Sequence, residues 1–215
     1  MKPVIAIDGT FASGKGTLAK KLAAHFGYAY LDTGKLYRAV AARALEVGAD
    51  LSDGSALAKL ATLITPDELE SPALKSGAVG AAASKVAVHT EVRVALKNYQ
   101  VQFAFAPPKG FAGAVLDGRD IGTVICPDAD VKIYVDAKSE VRADRRYNEL
   151  LSYGEDISLA QVVADLTERD HRDTNRAEAP LKPAQNAHLL DTTNLSIDAA
   201  FEQARHLIEI ILLPK

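Results

Sequence analysis

The chain has 215 residues, 48% of them apolar and 25% charged, values typical of folded soluble proteins that exclude a disordered or fibrous chain. Lys and Arg number 25 against 28 Asp and Glu, a formal charge of −3, so no overall basicity points to a nucleic-acid or membrane-surface partner. Cys126 is the only cysteine, which excludes an intramolecular disulfide or a cysteine-built zinc site and suits a reducing compartment.

The length suits one domain, residues 1–215, with room for an inserted subdomain. Val4 to Ile7 is too short for a signal-peptide core and no apolar run approaches the ~20 residues of a membrane span, so a cytoplasmic protein is expected. The same run, followed by Asp8-Gly9 and a loop of small residues, predicts a buried strand entering a tight turn. From Thr17, Leu18, Leu22 and Phe26 recur every four residues up to Gly27, which predicts a helix and its stop. A short apolar piece, Tyr28 to Leu31, then leads through Asp32-Thr33-Gly34 to a second helix, from about Lys35 to Val47.

Residues from about 50 to 112 interrupt this order with Pro66, Pro72, Pro107, Pro108 and a long Ala/Val-rich stretch, Gly77 to Phe105, and are read as an inserted helical subdomain. Ala114 to Leu116, Val131 to Val135 and His188 to Leu190 are each followed by Asp and a helical pattern. This is the βα alternation of a parallel sheet with helices on both faces. Ser158-Leu159-Ala160-Gln161 has the form of a capping box and predicts a helix from there toward Asp173. Arg142, Arg145 and Arg146, followed by Tyr153-Gly154-Glu155-Asp156, suggest a lid at about 145–158, with a solvated helix face as the rival reading.

Gly9-Thr10-Phe11-Ala12-Ser13-Gly14-Lys15-Gly16-Thr17 gives G-x-x-x-x-G-K, with Gly16 between Lys15 and the hydroxyl of Thr17. Such a loop wraps backbone N–H groups around phosphate oxygens at a helix N-terminus, which needs glycines for close approach and unusual dihedrals. Lys15 then reaches the β- and γ-phosphates and Thr17 a magnesium ion. No Asn-Lys-x-Asp or Thr-Lys-x-Asp reads guanine, which removes the GTPase switches and leaves a small kinase as the expectation. Phosphoryl transfer between two anions demands cations, and Arg119, Arg142, Arg145, Arg146, Arg169, Arg172 and Arg176 cluster in the second half of an otherwise acidic chain. Arg169, Arg172, Asp173 and Arg176 share one helical face by spacing. Alone they would read as a solvated face of local ion pairs, each worth little; beside a phosphate loop they read better as a clamp on nucleotide phosphate and sugar.

The loop, the segment Leu31-Asp32-Thr33-Gly34-Lys35-Leu36-Tyr37-Arg38, the segment Asp117-Gly118-Arg119-Asp120-Ile121-Gly122-Thr123 and the segment Glu168 to Arg176 together give a chain that strongly resembles the bacterial cytidylate kinases over nearly its whole length. The resemblance implies an α/β three-layer P-loop kinase fold with a five-stranded parallel sheet, a helical monophosphate-binding insertion and a short lid. It implies transfer of the γ-phosphate of ATP to CMP or dCMP with Mg²⁺, by a monomer with no nucleic-acid or membrane partner. Carried over by resemblance, Gly9 to Thr17 hold the donor phosphates and Thr33 and Arg38 the acceptor's phosphate. Ser84, Arg93 and Asp120 read the cytosine edge, while Arg169, Asp173 and Arg176 grip sugar and phosphate. Lys15, Arg119 and Arg146 are the cations expected at the transferring group, and Thr17 the metal-binding hydroxyl.

Departures from the family pattern are Thr10 and Ala12, where proline and glycine are common, and a short stretch from Pro66 to Gly80. Ser84 and Arg93 are nine residues apart, which at about 100° per residue puts them on opposite sides of one unbroken helix. The helix must therefore break near His89-Thr90, with Thr90 as the expected cap. Asp117 is read either as a turn former or as a neighbour of magnesium, Tyr37 as packing and Cys126 as a small apolar residue. The pattern Phe201, Ile208, Ile210, Ile211 and Leu212 is read as core or cover, or as the seam of a weak dimer. Another small kinase, acting on a different monophosphate or on a metabolite such as shikimate, and a catalytically idle nucleotide-binding module are the competing readings.

Overall fold

The computed structural model describes residues 2–212. Five strands, β1 (Val4–Gly9), β2 (Ala29–Asp32), β3 (Ala114–Gly118), β4 (Val131–Asp136) and β5 (His188–Asp191), form a sheet in the order β2-β3-β1-β4-β5. Every pairing is parallel, and Ile5 of the central strand lies level with Val115 on one side and Val131 on the other. Eight helices connect and cover them: α1 (Lys15–Phe26), α2 (Thr33–Glu46), α3 (Gly54–Ala61), α4 (Gly77–Val86), α5 (Thr90–Phe105), α6 (Ser139–Ser152), α7 (Leu159–Asn175) and α8 (Ile197–Leu212). Among the described residues no helix is long and apolar enough to cross a membrane.

The continuous apolar character of β1 and β3 follows from burial on both faces. Ile5, Ile7, Val115 and Ile133 pack under α1 and α8, with Leu18, Leu22, Ala204 and Ile208. Val4, Ala6 and Leu116 face the other way, against Ala104 of α5 and the turn carrying Ile121, Ile125 and Cys126. These are the three layers. Of the terminal apolar pattern, Ile208 is buried, while Ile210 and Ile211 are exposed.

A third cluster sits apart from the sheet. Leu36, Ala39, Val40, Ala41 and Ala44 of α2 pack with Leu57, Ala61, Val79, Ala82, Ala83, Val86, Val92 and Leu96 of α3, α4 and α5. Packing thus joins α2 to the helices beyond residue 50, so the expected insertion shares its core with an element that precedes it. The long helical stretch breaks at Ala87 to His89, between α4 and α5. Thr90 does not cap the second helix: His89 occupies the cap position with extended dihedrals and no side-chain cap bond. Its Nε2 is instead held 2.8 Å from the Leu51 carbonyl oxygen, so the turn is fixed by a contact distant in sequence.

Two helices start earlier than their apolar spacing predicts, each for a local reason. Gly14, at φ 88°, delivers the chain directly into α1 at Lys15. The Asp32 carboxylate accepts from Lys35 N at 3.2 Å and so caps α2 from Thr33. The box at Ser158 and Gln161 is formed as expected and opens α7.

Candidate active site

Strand β1 ends where the loop begins, and glycine is required at the junction. A Cβ on Gly9 would stand 1.9 Å from the Val135 carbonyl oxygen, so only a hydrogen there lets the loop leave β1 beside β4. The loop is braced by Ser13 Oγ donating to the Thr10 carbonyl at 3.0 Å and by Thr10 Oγ1 donating to Asp136 Oδ1 at 2.7 Å. No side chain caps α1, leaving its first N–H groups to an anion.

The loop opens on a cavity of about 680 Å³. Phe11 to Thr17 line it, as do Thr33, Arg38, Ser84, Arg93, Arg119, Asp120, Arg146, Arg169, Asp173 and Arg176. Of the residues named from sequence, Gly9 and Thr10 stand outside this lining and shape the loop from behind, and Arg142 and Arg172 of the two arginine-rich helices stand outside it as well.

Cation density governs the electrostatics. Lys15 is buried, and burial followed by repulsion from Arg119 pushes its amine well below the ordinary lysine range. Arg119 Nε donates to Asp173 Oδ2 at 2.8 Å. Burial works against the Asp173 carboxylate, yet Arg119 and Arg169 outweigh it and hold it below the usual range. Arg169 Nε and Arg176 Nη2 are buried without a hydrogen-bond partner, an expensive state that an anionic ligand's oxygens would relieve.

Asp120 is gripped from two elements: Arg93 of α5 donates to Oδ2, and Arg176 Nη2 stands 3.5 Å from Oδ1. Ser84 Oγ accepts from Arg172 Nε at 3.1 Å. The broken helix therefore does what the spacing required, bringing Ser84 and Arg93 to one cavity. Thr33 Oγ1 donates to the Asp117 carbonyl at 2.7 Å, and Arg38 Nη2 to Asp32 Oδ2 at 2.5 Å.

A family model described as cytidylate kinase matches residues 5–210. The chain belongs to the cytidylate kinase family. A cytidylate kinase of Rhodopseudomonas palustris is 55% identical over 208 residues, covering 97% of this chain and 96% of its own length. That of Afipia carboxidovorans is 54% identical over 206 residues, with 96% and 97% covered. An uncharacterized protein from Eubacterium ventriosum, of known crystal structure, aligns over 97% of this chain and 99% of its own at 14% identity with a TM-score of 0.53, a likeness of fold alone. Membership makes the protein an ATP-dependent nucleotide kinase acting on small molecules.

Several residues of this cytidylate kinase family member act where no spacing pointed. Both Asp8 carboxylate oxygens accept backbone N–H groups, from Ile121 and Gly122 at 2.7 Å each, tying the strand before the phosphate loop to the segment that carries Arg119 and Asp120. Burial raises this carboxyl to about 6, although the two N–H bonds oppose the rise. Tyr30 OH donates to Asp117 Oδ2 at 2.6 Å, while burial and then Asp32 push the Asp117 carboxyl upward. The arginine run on α6 divides. Arg142 donates to the Phe11 carbonyl at 3.0 Å and to Asp170 at 2.7 Å, and Arg145, on the cavity wall, donates to the Ser13 carbonyl at 3.3 Å and the Thr192 carbonyl at 2.7 Å, so both brace the loop. Arg146 faces the cavity and donates to Glu149 Oε2 at 2.7 Å. Cys126 is buried and its thiol pushed up to about 12 by burial and Asp8, as suits a packing residue.

Proposed function

We propose that the protein transfers the γ-phosphoryl group of ATP to CMP or dCMP, giving ADP and CDP or dCDP. The observation that carries this reading is the Asp120 carboxylate, held between Arg93 and Arg176 in the same cavity as the phosphate loop. Cytosine presents an amino donor beside ring-nitrogen and carbonyl acceptors. A carboxylate answers the first, and arginine or serine donors answer the others. Uracil turns a carbonyl oxygen, not an amino donor, toward that carboxylate, an acceptor facing an acceptor and a basis for rejection.

In this reading the loop N–H groups and Lys15 hold the β- and γ-phosphates, while Thr33 and Arg38 orient the acceptor's phosphate. An acceptor phosphate oxygen attacks the γ-phosphorus in line with the departing ADP oxygen. That oxygen is already ionised at neutral pH, so no side chain need remove a proton. Arg119, Arg146 and Arg169 meet the charge that spreads over the transferring group, and Asp173 keeps Arg119 aimed. The donors present suit Mg²⁺, which takes one or two protein oxygens and completes its shell with phosphate and water. The Thr17 hydroxyl and the Asp117 carboxylate both line the cavity, whereas no group of three or more His, Cys, Asp or Glu forms a closed metal site among the described residues. Bound there with the nucleotide, the ion neutralises phosphate charge. The proposal includes a monomer in the cytoplasm.

The test is ADP release from ATP and Mg²⁺ with CMP, dCMP, UMP, AMP, GMP and dTMP in turn. CMP and dCMP are expected to dominate, and Asp120→Asn to narrow their lead over UMP. Equal turnover of UMP by the unmodified protein overturns the base assignment, and absence of any acceptor-stimulated release overturns the kinase reading on these monophosphates.

A further inference from the structure

Phe11 is the only aromatic residue among the nine from Gly9 to Thr17, in a loop whose other side chains are small apart from Lys15. Its ring is half-buried and lies against two guanidinium groups from different helices: Arg169 of α7, with Cζ 3.9 Å from the ring centroid, and Arg146 of α6, at 5.4 Å. Both fall within the ~6 Å range in which a cation is drawn to the negative face of a ring. The backbone of the same residue is fastened to the same two helices, because the Phe11 carbonyl accepts from Arg142 of α6, which also donates to Asp170, the neighbour of Arg169.

Arg169 has little else to hold it. The single hydrogen bond it makes among the described residues is a 3.5 Å contact with the Gly80 carbonyl, and its Nε is buried and unpartnered. Phe11, Arg146 and Arg169 also line three cavities, of about 680, 410 and 310 Å³, so they stand where these spaces meet. A carboxylate in the place of the ring would hold the guanidinium by occupying its N–H donors and cancelling its charge. The face of a ring holds it while leaving every donor free.

We infer that Phe11 is a positioning residue: its ring seats Arg169 over the phosphate loop with its donors open to the phosphates of ATP, and lies more loosely against Arg146, which Glu149 also holds. This deepens the proposed function and rests on its reading of the cavity as the ATP phosphate site. Burial, and then repulsion from Arg119, disfavour the charged form of Arg169; Asp173 opposes them from a distance, and the electron-rich ring adds to that opposition in direct contact.

The test compares Phe11→Tyr, Phe11→Leu and Phe11→Ala with the unmodified protein in KM for ATP, in kcat and in calorimetric affinity for inorganic tripolyphosphate, which needs no acceptor. Phe11→Tyr is expected to stay within about 2-fold of the parent in every quantity. Phe11→Leu and Phe11→Ala are expected to raise KM for ATP and weaken tripolyphosphate by about 3- to 30-fold, the range of a partly desolvated cation–ring contact, with kcat changed less and unfolding midpoints alike. Phe11→Leu matching Phe11→Tyr overturns the assignment, since bulk alone would then suffice. Equal losses in all three variants, tyrosine included, overturn it as well. Failure of the unmodified protein to bind either ATP or tripolyphosphate overturns the reading of the cavity itself, and the role of Phe11 with it.

Discussion

The sheet and the helical region between β2 and β3 are both apolar inside, but they are packed from different residues. Beneath α1 and α8 the core is Ile5, Ile7, Leu22, Val115, Ile133, Val135 and Ile208, large and mostly β-branched. In the helical region Ala39, Ala41, Ala44, Ala61, Ala82 and Ala83 sit among Leu36, Val40, Leu57, Leu69, Leu74, Val79, Val86, Val92 and Leu96, and the buried set holds no isoleucine. Apolar burial stabilises by roughly 25 cal/mol per Å², so alanines let helices approach closely while contributing little each. The phosphate loop thus grows from the more strongly packed half, and Ser84 and Arg93 from the more lightly packed one. Glu155, between α6 and α7, accepts from Gly77 N at 2.6 Å and links the start of α4 to the connection between those two helices.

The largest expected effect separates chemistry from stability within the strongly packed half. Lys15→Ala should lower kcat by about 10³-fold, while its unfolding midpoint holds or rises, because the parent amine is charged against burial and the repulsion of Arg119. A near-normal turnover would remove Lys15 from the transfer step.

Next come the two cores themselves. Ile7 and Leu57 are both fully buried. Ile7→Ala should cost about 3–4 kcal/mol and Leu57→Ala about 2–3, within the range for such truncations. Amide hydrogens of β1 should exchange more slowly than those of α3. Equal protection in the two regions would erase the contrast.

Asp8 sharpens the comparison at the seam. Its folded carboxyl titrates near 6 against 3.8 for the free side chain, so the folded state holds that proton more tightly. The contribution is complete below about pH 4 and is lost as pH rises through 6, at most about 3 kcal/mol. Asp8→Asn should flatten that part of the stability profile measured by denaturant unfolding. A profile unchanged by the substitution would show that Asp8 does not titrate there.

The smallest effect is Ala12→Gly. Ala12 sits at φ 61°, in the left-handed region that penalises a Cβ. Glycine should add about 1 kcal/mol and raise the unfolding midpoint by about 2–4 °C, whereas a fall would mean that the alanine methyl is packed usefully.

Much of the fold was legible because each strand announces itself by a short apolar run ending at Asp or Gly, and each following helix by its spacing. The break between Ser84 and Arg93 was legible too, from helix geometry once the family resemblance had assigned both to one base; its cap was not, because His89 is fixed through Leu51 rather than by any adjacent residue. The proposed site residues share a cavity, but the braces around them escaped notice for one physical reason. Asp8 reaches Ile121 and Gly122, Tyr30 reaches Asp117, and Thr192 Oγ1 donates to the Ser13 carbonyl at 2.8 Å, contacts separated by 87 to 179 residues that leave no periodic trace. Likewise, nothing in the order Arg142, Arg145, Arg146 reveals that the first two are committed to backbone carbonyls and the third is not.

The strand order carries a consequence for how the chain comes into being. The central strand β1 leaves the ribosome well before both its neighbours, β3 and β4, which lie more than a hundred residues downstream. Until residue 118 has emerged, Val4 to Gly9 is an apolar strand with neither edge paired, and until residue 136 its second edge stays open, the kind of segment that invites association with other chains. The contacts of α2 to α5 are nearer in sequence, and nearer contacts close sooner. A nascent chain halted near residue 112 would therefore already hold helical structure, with its most apolar strand still waiting for partners.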